Sequence, residues 1–268
     1  MLGVGIAYAL STALPTLLGR RASGARAAGH RQPHWILSLI AGCLFALAVR
    51  PVIASLTLST VGLMLSLWLL LFVLGFLLSM IEAVAFSEGP SPIRMRDVGG
   101  AMFAAAVVAV AAGCLIHPPS SGSLIANLER WLVRFEWTNL GLRLAGTAVA
   151  FMLAYCVIGS VAWRFVRPYY TDPKFGLRLR IPRGPVIILL QLGRGLLAIL
   201  ALAPLIASST AHGFDWWWRF ALALAVTSGV VPLLGAAGWP TTLRVAHAIE
   251  IVVFALVYAF ALGQILAV

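Results

Sequence analysis

Five side chains able to hold charge, share a proton or donate hydrogen bonds interrupt otherwise apolar stretches of this chain. Arg194 sits in Gln191-Leu192-Gly193-Arg194-Gly195, Glu250 follows His247 by roughly one helical turn, and Glu82 lies in Met80-Ile81-Glu82-Ala83. An ionised group in hydrocarbon is costly, so such residues mark binding sites, proton routes or compensating ion pairs. Arg194 is the deepest: at a helical rise of about 1.5 Å per residue it stands roughly 13 Å into its apolar run, too far for easy snorkelling. The glycines on either side of it would let a neighbouring helix or a ligand approach closely. Arg194 is therefore expected to pair with Glu250 or Glu82 in one polar cluster that also holds Gln191 and His247.

Other constellations are absent. Cys43, Cys114 and Cys156 each stand alone in an apolar run, and His30 and His34 have no thiol or carboxylate near them in sequence, so no metal site is expected. No Gly-x-x-x-x-Gly-Lys loop is present, and Glu82 is followed by alanine rather than a second acid. Acid–base chemistry by Glu82, Glu250 and His247 is conceivable, but no catalytic constellation supports it. No catalytic residue and no cofactor is assigned, and the sequence reads more readily as a non-enzyme.

The elements that position these residues follow from composition. The chain is 62% hydrophobic and only 10% charged, and its mean hydropathy is +1.00. Soluble domains carry about twice that share of charge. There is too little polar surface here to face water all round, so lipid must cover much of the molecule. The reading is an all-α, polytopic membrane bundle of one domain, 1–268, with about eight transmembrane helices. Apolar runs of spanning length fall at about 2–18, 35–56, 58–86, 98–116, 140–163, 185–207, 216–236 and 245–267. The first run lacks a charged n-region and is read as a span rather than a signal peptide. Arg50-Pro51 marks either a broken helix or a helix end, and Pro232 marks a kink.

Residues 123–137 are too polar to cross. Leu124, Ile125, Leu128, Trp131, Leu132 and Phe135 recur at helical spacing there, with Asn127, Glu129, Arg130 and Arg134 mainly elsewhere on the wheel. Two readings remain open: an amphipathic helix lying in the membrane interface with Trp131 and Trp137 at headgroup depth, or a surface helix packed on the bundle.

Basic residues gather in alternate loops, 19–34, 87–97, 164–184 and 237–244, whereas the arginines of 117–139 are balanced by acids. The positive-inside rule makes the first set cytoplasmic, which places a multi-pass protein in the cell (inner) membrane with both termini outside. The basic loops then face anionic headgroups. Trp216, Trp217 and Trp218 would anchor the outer interface, and Trp239 the inner one. The excess of 19 basic over 8 acidic residues is accounted for by these loops, so no nucleic-acid partner is expected. A protein partner or a second copy of the chain remains open. Arg143 is expected to snorkel outward.

Three functions fit. The first is a transporter or lipid-handling permease with a cytoplasm-facing polar site around Arg194. The second is a non-catalytic subunit or scaffold of a membrane complex. The third is a membrane-embedded enzyme acting on lipid.

Overall fold

The computed structural model describes residues 1–11, 34–86, 95–116, 121–171, 181–235 and 240–266. Among these the chain is helical apart from short turns and one isolated β-bridge. A short apolar helix, α1 (Leu2–Ser11), precedes α2 (His34–Ile53), α3 (Thr60–Phe86) and α4 (Met95–Ile116). A short α5 (Leu124–Leu132) leads to α6 (Trp137–Thr171), α7 (Gly184–Ser208), α8 (residues 213–235) and α9 (Thr241–Leu266). Among the described residues, seven helices are long and apolar enough to cross a membrane, so this is an all-α, multi-pass membrane protein. The continuation of α1 towards residue 18 lies outside the described residues, as do most of the first basic loop and Trp239.

Seven of the eight expected runs form helices of spanning length, one of them extended, and the first, 2–18, is described only as the short α1. The fifth run is expected at 140–163, but α6 runs over Trp137–Thr171 and carries Arg164, Arg167 and Pro168 as helix rather than loop. Its surface shows why a bilayer is required. Leu142, Val149, Leu153, Val157, Val161 and Phe165 are exposed at helical spacing along one side, a stripe that water would not tolerate. The opposite side, with Leu140, Thr147, Ala148, Phe151 and Ala154, is buried.

Lipid supplies no hydrophobic force between helices, so they associate where small residues let backbones close in. Gly5 of α1 and Gly42 of α2 do this: a β-carbon at Gly42 would lie 2.8 Å from the Gly5 Cα. Gly195 does it for the candidate site, because a β-carbon there would lie 2.8 Å from the Ala148 Cα and 3.0 Å from the Ala148 carbonyl oxygen. Gly193 meets nothing within 4 Å, so of the two flanking glycines only Gly195 serves a close helix approach. Gly195→Ala should therefore lower the melting temperature of the detergent-solubilised protein by forcing α7 off α6. Gly193→Ala should leave it unchanged or raise it slightly, since alanine is the better helix former by up to about 1 kcal/mol.

Two helices widen into π turns, Leu70–Leu77 in α3 and Val226–Val230 in α8. The second lies just before Pro232. A proline ring crowds the carbonyl four residues earlier and removes a hydrogen bond to it, and a widened turn relieves that crowding. The expected kink thus takes this form. No proline accounts for the first. The two segments meet at Gly75, where a β-carbon would lie 3.3 Å from the Thr227 carbonyl oxygen.

At the opposite end from the candidate site, the α2–α3 and α7–α8 turns are tied together. Leu56 and Ser209 form an antiparallel bridge, Thr57 N–H donates to the Ser208 carbonyl at 2.9 Å, and Thr210 N–H donates to the Ser55 carbonyl at 2.7 Å. Asn127 from α5 closes this knot, donating to the Thr57 carbonyl at 2.7 Å and the Ser208 hydroxyl at 3.1 Å. Its own carbonyl oxygen accepts from Arg130. Ser59 and Ser123 cap α3 and α5 by accepting from the Gly62 and Ala126 amides.

The amphipathic segment is therefore packed on the bundle. Asn127 and Trp131 are buried, and Ile125 and Val133 face out. Trp131 sits inside, edge-on to Phe135, rather than at a free interface; Trp137 is exposed. The tryptophan triplet also divides. Trp216 is a core residue stacked on Phe220 at 4.3 Å, while Trp217 donates to the Leu256 carbonyl and Trp218 to Asp215.

Helix α2 continues through Arg50-Pro51 to Ile53, and Arg219 of α8, paired with Asp215 at 2.8 Å, donates to the Pro51 carbonyl. Arg143 does not simply snorkel: it donates to Asn139 and to the Ile265 carbonyl, joining α6 to α9.

Candidate functional site

Three helices, α3, α7 and α9, bring the five sequence-identified residues to the same end of the bundle. Arg194 and Gln191 lie on one face of α7, one turn apart, and both are buried. Arg194 is about 15 Å along the helix from Gly184, near its middle. Its partner is Glu82 of α3: Arg194 Nη2 stands 2.9 Å from Glu82 Oε2. Its Nη1 donates to Gln191 Oε1 at 2.9 Å. The guanidinium also lies over the rings of Phe151 and Tyr155 of α6, 5.7 and 5.4 Å from their centroids. An ion pair, a hydrogen bond and two cation–π contacts together replace the water that a mid-span arginine has lost.

Glu82 is held from both sides. Its Oε1 accepts from the Tyr155 hydroxyl at 2.5 Å. The burial of the pair is unequal: the Arg194 side chain is 9% exposed and the Glu82 side chain 34%. The carboxylate thus forms the open edge of the cluster and the guanidinium its sealed floor.

Glu250, the other expected partner of Arg194, pairs within its own helix instead. His247 Nδ1 lies 2.9 Å from Glu250 Oε2. Both acids lie against α6, Glu82 at Tyr155 and Glu250 one turn on, where its Oε1 lies 3.4 Å from where a β-carbon of Gly159 would stand. The absent side chain at Gly159 leaves room for Glu250 beside the tyrosine turn.

Two buried donors in the cluster lack an acceptor, Gln191 Nε2 and Arg194 Nε. The reason is chemical. Arginine can only donate, so the glutamine amide must turn its oxygen towards Arg194 and leaves its NH2 group pointing elsewhere. Buried donors are normally satisfied, and a pair of them beside a cation is the arrangement that receives an oxygen acceptor.

Sequence reasoning named Arg194, Gln191, Glu82, Glu250 and His247; the structure bonds Arg194 to Glu82 and Gln191, and pairs Glu250 with His247 separately. It missed Tyr155 and Phe151. Tyr155 left a signal, a hydroxyl inside an apolar run; Phe151 left none among so many apolar neighbours. Among the described residues no group of three or more His, Cys, Asp or Glu is placed to hold a metal ion. His212 is exposed at the other end of the bundle, and His30 and His117 lie outside the described residues. No family model, curated protein or solved structure matches the chain.

Proposed function

We propose that this protein is a membrane permease, for a small solute or a lipid, whose polar site around Arg194 opens to the cytoplasm and receives an oxyanion of the transported molecule. The observation that carries this reading is the pair of unsatisfied buried donors, Gln191 Nε2 and Arg194 Nε, on a guanidinium near the middle of a span. A purely structural arginine would be expected to use all its donors on the protein. The half-open Glu82 edge supplies a way in. The orientation rests on the basic loops, the membrane being the cell (inner) membrane.

A second reading, a non-catalytic subunit or scaffold, draws on one specific fact: Arg194 is already neutralised within the chain by Glu82. The test is native mass spectrometry of protein extracted gently from its own membrane, beside the double variant Arg194→Gln with Glu82→Gln. That variant removes both charges at once and strands neither. The expected result is a co-purifying small molecule or specific lipid carrying a carboxylate, phosphate or sulfate, lost at least tenfold in the double variant. A stoichiometric protein partner with no such ligand would overturn the permease reading in favour of the subunit.

A further inference from the structure

We infer that the oxyanion enters the Arg194 site together with one proton, and that Glu82 is the residue that takes up the proton. This rests on the reading of Arg194 as the oxyanion site and adds the coupling. The motive is charge. Arg194 has one carboxylate on it already, 2.9 Å away. An anion arriving at the guanidinium would place a second negative group on one arginine, at a depth where little water screens them. The cost disappears when Glu82 is protonated. Its carboxylate becomes a neutral acid, Arg194 Nη2 is released, and the incoming oxyanion takes that place while also accepting from Arg194 Nε and Gln191 Nε2. The balance is one proton and one negative charge taken up, with a Glu82 O–H bond formed and no net change in charge.

Glu82 is placed for this role and the other acids are not. It is the acid bonded to Arg194 in the structure and the more exposed member of the pair, so protons reach it from the open edge. The groups bonded to it are Tyr155 from α6 and Arg194 from α7; Gln191 is bonded to Arg194, and the His247–Glu250 pair of α9 lies against Gly159 of α6. Asp97 of α4 is exposed, and α8 brings no titratable group to its described inner half, 226–235. Tyr155 holds the carboxylate in place, its hydroxyl donating to Glu82 Oε1.

Linkage makes the coupling measurable. If binding requires a proton on Glu82, affinity rises as pH falls, approaching about tenfold per pH unit while Glu82 is ionised in the free protein. The experiment is isothermal titration calorimetry on the full chain in neutral detergent. Inorganic phosphate, acetate and dihexanoyl phosphatidylglycerol serve as separate probes, each at several pH values and in two buffers of different ionisation enthalpy. The expected result is uptake of close to one proton per oxyanion bound. Glu82→Gln, which mimics the protonated acid, should bind the probe as tightly at high pH as the parent does at low pH, with that uptake abolished. Tyr155→Phe, which removes the donor to the carboxylate, should shift the pH at which binding is half-maximal. It reads the same coupling if Glu82→Gln fails to fold. Binding of the phospholipid alone identifies a lipid headgroup as the source of the oxyanion, and binding of phosphate or acetate identifies a soluble anion; either supports the coupling if the proton count holds.

Two results overturn the inference, and they differ. Oxyanion binding with the same pH dependence in Glu82→Gln, or an unmoved midpoint in Tyr155→Phe, removes the coupling and leaves the Arg194 site standing. Absence of binding by every probe, to the parent and to Glu82→Gln alike, removes the site itself.

Discussion

Glu82→Ala lowers the stability of the folded bundle by about 3 kcal/mol, and adding Arg194→Leu to the same chain returns most of that loss. The first change strands a guanidinium that is nine-tenths buried beside two aromatic rings. Removing one partner of a buried ion pair costs about 3–5 kcal/mol because the remaining charge has no counterpart, whereas replacing both by apolar groups is often neutral. The lower end applies because Glu82 is partly exposed. Reversible unfolding in mixed micelles, on the four chains of a double-mutant cycle, gives the coupling directly. The same cycle on Glu250 and Arg194 should show clearly weaker coupling, since Glu250 is engaged by His247. Equal coupling of both acids to Arg194 would mean that the arginine is shared, contrary to the observed pairing.

Gly122→Ala is the second large effect and acts at the other end of the molecule. A β-carbon there would sit 1.9 Å from the Thr57 carbonyl oxygen and 2.6 Å from its carbon. These are backbone atoms, so no side chain can swing aside. The Gly122 carbonyl also accepts from the Ser59 amide at 2.7 Å, and the Thr57 carbonyl is the one that Asn127 grips. Relieving the clash therefore pulls apart the α2–α3 turn, the cap of α3 and the α5 anchor together. Overpacking of this kind costs about 1–3 kcal/mol, more when the backbone must move, and a loss of about 3 kcal/mol or more is expected. Fluorescence-detected size-exclusion chromatography after heating would show it as a fall in the temperature at which half the monodisperse peak survives. A melting curve like the parent's would mean that the 121–123 segment is free to stand away from Thr57.

The contrast between these two sites shows how differently the sequence reports on them. The spans are legible because partition into lipid depends on composition along one dimension: a run of about 20 apolar residues has one stable place to go. The polar residues of the site are legible for the same reason. A charge in such a run has a cost that something must offset, so Arg194, Glu82 and Glu250 stand out without any knowledge of the fold. Glu82 and Glu250 each fall near the end of an apolar run that adjoins a basic loop. Depth was thus available from the sequence.

Lateral arrangement was not. Glu82 and Glu250 are equivalent candidates for Arg194 by depth, and only the packing of α7 on α6 through Gly195 and Ala148 and the position of α3 decide for Glu82. In lipid the choice of neighbour rests on shape and small-residue contacts, which a hydropathy pattern does not encode. The same reason hides the assignment of Trp216 to the core and the meeting of the π turns at Gly75 and Thr227. It also hides the knot of Ser55, Thr57, Asn127, Ser208 and Thr210, whose members read in sequence as ordinary polar turn residues. By itself the sequence determined that this chain is a multi-pass helical membrane protein with charges that need partners, because bilayer partition is a property of each segment alone. The tertiary structure decided which partners they found and which donors remained free, because those depend on the mutual register of helices that are far apart in the chain.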